Sequence, residues 1–145
     1  MLVDVVTEIE INRPREKVSA FAADPANAIA WYENIKAVEW ETPPPVVVGS
    51  RLRFRAQFLG RTLSYVYEVR AIEPGRRFLM ATAQGPFPME TTYSWEDTTE
   101  GATRMTLRNR GDASGFTAVT APVMARAMRR ANEADLRRLK ALLES

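Results

Sequence analysis

The chain has 145 residues, 46% of them hydrophobic and 26% charged, with a formal net charge of +2. That balance excludes a disordered chain, fits one domain spanning residues 1–145, and offers no concentrated basic face for nucleic acid. With no cysteine and no histidine, disulfides, thiolate chemistry and the common zinc and iron–sulfur sites are excluded, a metal would need carboxylates alone, and the sequence clusters none.

The first segment alternates. Val3, Val5, Thr7, Ile9 and Ile11 fall on one face and Asp4, Glu8 and Glu10 on the other, the period-two pattern of a half-buried strand. The three acids also interrupt the N-terminal apolar run, so it does not read as a signal peptide. No run approaches the ~20 residues that span a bilayer. A cytoplasmic protein without membrane insertion is expected. Pro14 suits the first turn of a helix carrying Val18, Phe21 and Ala22. Asp24-Pro25 breaks that helix and opens a second short one toward Trp31.

A strand is predicted from Ile35 to Glu41, then a stiff Pro43-Pro44-Pro45 connection. Four further strands place Leu52, Phe54, Ala56 and Phe58, then Leu63, Tyr65, Tyr67, Val69 and Ala71, then Phe78, Met80 and Thr82, then Phe87, Met89, Thr91, Tyr93 and Trp95 on one face. A last strand adds Met105, Leu107 and Asn109. Gly60, Pro74-Gly75, Gly85-Pro86 and Glu100-Gly101 mark the turns. Short turns between amphipathic strands give an antiparallel meander with one wet face. Its dry face needs a second layer. An amphipathic helix from Pro122 to about Leu143 supplies it, with Met124, Met128, Ala131, Leu139 and Leu142 on one stripe, flanked by Leu136 and Leu143. The class is therefore α+β, with about seven strands in the order β-α-α-β6-α.

In this order the chain resembles the helix-grip fold of the START-like (SRPBCC) superfamily. Within it, the chain is most similar to the small bacterial polyketide cyclase/dehydrase and lipid transport group. The resemblance rests on Ile11-Asn12-Arg13-Pro14 with Val18 and Phe21, on Asp24-Pro25-Ala26-Asn27 with Trp31, and on Val48-Gly49-Ser50. It continues through Gly85-Pro86-Phe87-Pro88, Tyr93-Ser94-Trp95 and Asp135-Leu136-Arg137-Arg138-Leu139-Lys140. It covers nearly the whole chain and implies a curved sheet wrapped around the C-terminal helix. It also implies a cavity for a lipid, polyketide or other small apolar molecule. It brings no catalytic motif and no cofactor. A homodimer is compatible with it, but no residue specifies one.

The inward face is rich in aromatic and methionine side chains: Phe54, Phe58, Tyr65, Tyr67, Met80, Phe87, Met89 and Tyr93, with Met124 and Met128 from the helix. Two readings fit them, an ordinary core and the wall of a ligand cavity. A curved sheet and a straight helix cannot touch along their full length, so the gap is expected toward the first half of the helix. Inward tyrosines need partners; Thr91, Asn109, one another or a ligand oxygen would serve. Trp31 closes one end as a core plug or a ligand contact. Asn132 sits at the edge of the stripe as a candidate ligand contact. Asp135 falls within the stripe, where a carboxylate needs a partner. It reads either as a structural bond, to the Trp31 indole or a strand arginine, or as a general acid or base or an anchor for a polar ligand group. Arg51, Arg53, Arg55, Arg104, Arg108 and Arg110 lie outward with Glu68, Glu90 and Glu96 to offset them, and Glu133 pairs with helix arginines at i, i+4 spacing.

Three functions follow as expectations. The first is a binder of a small, largely apolar ligand. The second is a cyclase or dehydratase using pocket Tyr, Asp or Asn groups. The third is an interaction domain with a filled core.

Overall fold

The computed structural model describes residues 2–85, 87–112 and 120–145. The first alternating segment is β1 (Leu2–Ile11), with Val3, Val5, Thr7 and Ile11 buried and its three acids exposed. Pro14 precedes α1 (Arg15–Ala22) with φ −61°, the value its ring imposes. The Asp24 carboxylate accepts a hydrogen bond from the Ala26 amide at 3.0 Å and opens a single 3-10 turn, Pro25–Asn27. That turn leads into α2 (Ala28–Trp31). The meander follows as β2 (Ile35–Trp40), β3 (Arg51–Phe58), β4 (Arg61–Glu73), β5 (Arg77–Gln84), β6 (Met89–Asp97) and β7 (Thr103–Asp112), and the chain ends in α3 (Ala121–Glu144). All seven strands form one antiparallel sheet in the order β1-β7-β6-β5-β4-β3-β2. This is the α+β helix-grip architecture expected from the sequence.

Three irregularities in pairing interrupt the ladder, one between β2 and β3 and two between β4 and β5. Each extra residue bends its strand and increases the local twist, which is how a sheet comes to curve around a helix. The second β4 irregularity reverses one expectation. Val69 pairs with Met80, but Ala71 pairs with Leu79 and Ile72 with Phe78. Cross-strand partners share a face, so past Arg70 the inward position passes from Ala71 to Ile72. Phe87 precedes β6 rather than opening it, and Pro86 of the expected turn lies outside the described residues.

The helix buries Met124, Asn132, Asp135, Leu136 and Leu139. Leu142, expected on the stripe, is instead 42% exposed, because Leu143 takes the core side of the last turn. Two side chains of α3 reach the outer edge of β1: Arg129 donates to the Val6 carbonyl at 3.0 Å and Lys140 to the Glu10 carbonyl at 2.8 Å. The helix thus covers a sheet edge that would otherwise present unpaired carbonyls.

The apolar interior falls into two clusters. The larger joins Trp31, Leu52, Phe78, Met105, Leu107, Leu136 and Leu139 with α1. The smaller joins Val3, Val5, Leu63 and Met124, with Phe58, Tyr65, Phe87 and Met128 packed against it. Each fully buried large side chain contributes about 1.5–3 kcal/mol, so the larger cluster dominates the stability.

On the wet face β3 and β7 are separated by three strands, and their arginines are locally neutralised. Arg51 pairs with Glu68, Arg53 with Glu41, Arg55 with Glu39, Arg104 with Glu96, Arg108 with Asp4 and Arg110 with Glu90. Among the described residues Glu133 makes no ion pair. The helix pairs are Arg138 with Glu33 and Asp135, and Lys140 with Glu144. No helix among the described residues is long and apolar enough to cross a membrane.

Candidate functional site

Between the sheet and the first two-thirds of α3 lies a space of about 150 Å³ for the centres of water-sized molecules. Its walls draw on both clusters. The sheet contributes Phe54, Ala56, Leu63, Tyr65, Tyr67, Phe78, Met80, Thr82, Met89, Thr91, Tyr93 and Asn109, with Phe58 and Phe87 beside them. The helix contributes Met124, Met128, Ala131, Asn132 and Asp135. The segment around the first two helices closes the remaining side with Ala22, Pro25, Ala28, Tyr32, Asn34 and Ile35. The wall is mostly apolar, with few polar groups, as ligand sites commonly are.

Three sets of polar groups stand around the space. The Thr91 hydroxyl donates to Asn109 Oδ1 at 2.6 Å and lies 2.9 Å from the Tyr67 hydroxyl. A threonine has one hydroxyl proton, so Tyr67 is the donor to Thr91, and the Tyr67 oxygen keeps lone pairs in hand. The second set is the Tyr32–Tyr93 pair, with hydroxyls 2.8 Å apart. Their rings pack about Trp31, Tyr32 tilted with centroids 4.2 Å apart and Tyr93 edge-on at 5.6 Å. The third is on the helix. Asp135 accepts the backbone N–H of Glu33 at 3.1 Å and stands 3.6 Å from Arg138. Asn132, one turn earlier and 5% exposed, has a buried Nδ2 with no hydrogen-bond partner among the described residues.

Burial governs the ionisation of these groups. It raises the Tyr32, Tyr65 and Tyr93 phenols well above their usual value and pushes Tyr67 up to about 12, with the Thr91 bond working against the shift. All four are neutral at physiological pH. Asp135 is pushed up to about 6 by burial, opposed by the Glu33 amide and Arg138 and assisted by the Glu33 charge. Among the described residues no group of three acidic side chains is placed to hold a metal.

Of the residues singled out in the sequence, Phe54, Phe58, Tyr65, Tyr67, Met80, Phe87, Met89, Thr91, Tyr93, Met124, Met128 and Asn132 all line this space. Trp31 does not. It is fully buried behind Tyr32 and Tyr93, and its indole nitrogen has no partner among the described residues. Asp135 bonds to neither of the partners expected for it. Its anchor is the Glu33 amide, and it lines the space. Tyr32 and Asn34 escaped the sequence reading. They follow a four-residue helix, where no periodicity marks an inward face. The Trp31-Tyr32 aromatic pair was the one available signal.

Residues 3–144 match the family model described as polyketide cyclase / dehydrase and lipid transport. The chain belongs to this family. Its fold recurs in solved structures at low identity. A START superfamily protein from Mycobacterium smegmatis superposes with a TM-score of 0.84 at 16% identity, over 97% of each chain. The Zhui aromatase/cyclase from Streptomyces sp. R1128 gives 0.79 at 14%, over 99% of this chain and 94% of that one. A ginseng major latex-like protein from Panax ginseng gives 0.76 at 12%, over 97% and 96%. At these identities the likeness speaks for the fold. No curated protein matches the chain in sequence.

Proposed function

We propose that this START-like protein binds one small, largely apolar molecule between the sheet and the first two-thirds of α3. The observation that carries the reading is the space itself, about 150 Å³ with a mostly apolar wall. A cavity of roughly that size admits a benzene-sized guest, which favours a compact aromatic over an extended lipid chain. Apolar burial at about 25 cal/mol per Å² supplies the affinity, less the entropic cost of association. An environment-sensitive apolar dye should show saturable fluorescence enhancement with the protein, reversed by compact aromatic competitors. Failure of every apolar probe to saturate would sink the proposal.

A second reading, a cyclase or dehydratase acting on a polyketide-like substrate, is favoured by one feature. Asp135 is at the wall with a carboxyl pushed up to about 6, and a group titrating near neutrality can both give and take a proton during turnover. The expected outcome is that Asp135→Asn abolishes conversion of a poly-β-ketone mimic while dye binding persists. Unchanged conversion in that variant rules the carboxyl out.

A further inference from the structure

Several other polar side chains around the cavity have partners on the protein. Tyr67 is spent on Thr91, Thr91 on Asn109, Tyr32 and Tyr93 on each other, and Asp135 on the Glu33 amide. The Asn132 carboxamide differs. Its Nδ2 is buried with no acceptor among the described residues, although the residue is 5% exposed and part of the cavity wall. A mid-helix asparagine commonly bonds back to the carbonyl one turn earlier, and this one does not. Leaving a buried amide donor unpaired is unfavourable, and leucine would fill the same position on an apolar helix stripe without that penalty. The surrounding wall offers mainly carbon: Met128 and Ala131 on the same helix, with Phe54, Met80 and Met89 across the cavity.

We propose that Asn132 is the polar recognition point of the cavity, and that its ligand is an apolar ring system bearing an oxygen acceptor, a ketone or hydroxyl, seated against the Asn132 amide. This deepens the binding reading above and rests on it. The chemistry follows from what the site lacks. An unpaired N–H asks for a lone pair, and a site built to bond an oxygen rejects the analogue without one, because the buried amide is then left unsatisfied. The amide carries no charge, so a neutral carbonyl or hydroxyl suits it better than an anion, which would also face the Asp135 carboxyl one turn along the helix. A pure hydrocarbon would still enter, held by area alone.

Acetophenone and α-methylstyrene test this, since they differ only in C=O against C=CH2. Their affinities are measured by displacement of the apolar dye from the wild-type protein and from Asn132→Leu. The expected result is that the substitution weakens the ketone roughly 3- to 10-fold relative to the hydrocarbon, the factor that one net hydrogen bond is worth. The carbonyl stretch of the ketone bound to wild type should also lie below its value in an alkane solvent. This second measurement needs no variant and so does not depend on Asn132→Leu folding. Equal shifts of both probes, or a carbonyl stretch at the alkane value, overturn the inference while leaving the cavity as a binding site. Absence of dye and probe binding to wild type overturns both.

Discussion

Asp135 illustrates how one buried carboxylate couples a site to the stability of the whole chain. Its side chain is 3% exposed, and burial outweighs the Glu33 amide and Arg138 in setting its ionisation at about 6 against an ordinary 3.8. A carboxyl whose folded value is raised binds its proton more tightly in the folded chain than in the unfolded one. Its contribution is therefore fully present below pH about 4 and lost as pH rises through about 6. Two units correspond to about 3 kcal/mol at the order-of-magnitude level. The acids Asp4 and Glu144 shift the opposite way, held down by the Arg108 bond and by the Asn12 amide, so the raw stability curve mixes both signs. The difference between wild type and Asp135→Asn isolates the residue. Asparagine keeps an acceptor for the Glu33 amide and does not titrate, so it should gain on wild type by up to about 3 kcal/mol from pH 4 to pH 7. Urea melts at four pH values would show this. A difference that stays flat across the range means that the carboxyl is not raised.

At the scale of elements, most of the architecture was legible because burial imposes simple periods. Phe54, Tyr67, Met80 and Tyr93 were readable as inward because a strand with one wet face must alternate, and the terminal helix because Met124, Leu136 and Leu139 recur on one stripe. What escaped depends on events that change the phase. The irregularity after Val69 inserts a residue, so Ala71 turned outward and Ile72 inward, and no local residue type signals it. Tyr32 was invisible for a related reason, since α2 spans four residues and has no period to read. The exposed Leu142 shows the limit of assigning a helix face at a fraying end, where Leu143 alone reaches the core. As for the candidate site, the wall residues were legible as a list but their polar pairings were not. The Tyr67–Thr91–Asn109 relay joins three strands and follows once the register is known, whereas the Glu33–Asp135 bond joins residues 102 positions apart through a loop.

The whole molecule is a compromise between closing its core and keeping it open. The main cluster around Trp31 and Leu139 packs the far half of α3, and the smaller cluster around Met124 and Leu63 packs its start. The space between them forgoes contacts that a filled core would make. If that space is kept for a guest, filling it should trade binding for stability. Ala56 on β3 and Ala131 on α3 face it from opposite walls, and Ala56→Leu and Ala131→Leu each add carbon there. Each variant should melt at or above the wild-type temperature when empty, and bind the apolar dye at least ~10-fold more weakly. The two effects are linked through ligand stabilisation. A guest at 100 times its dissociation constant stabilises the folded state by about 2.7 kcal/mol, which for a chain of this length raises the melting temperature by roughly 5–10 °C. That rise should appear in wild type with acetophenone and shrink in both variants. If both variants bind the dye as wild type does, the guest lies elsewhere. If both lose several kcal/mol when empty, the space is already occupied by well-packed side chains, and the sheet and helix meet as a closed core.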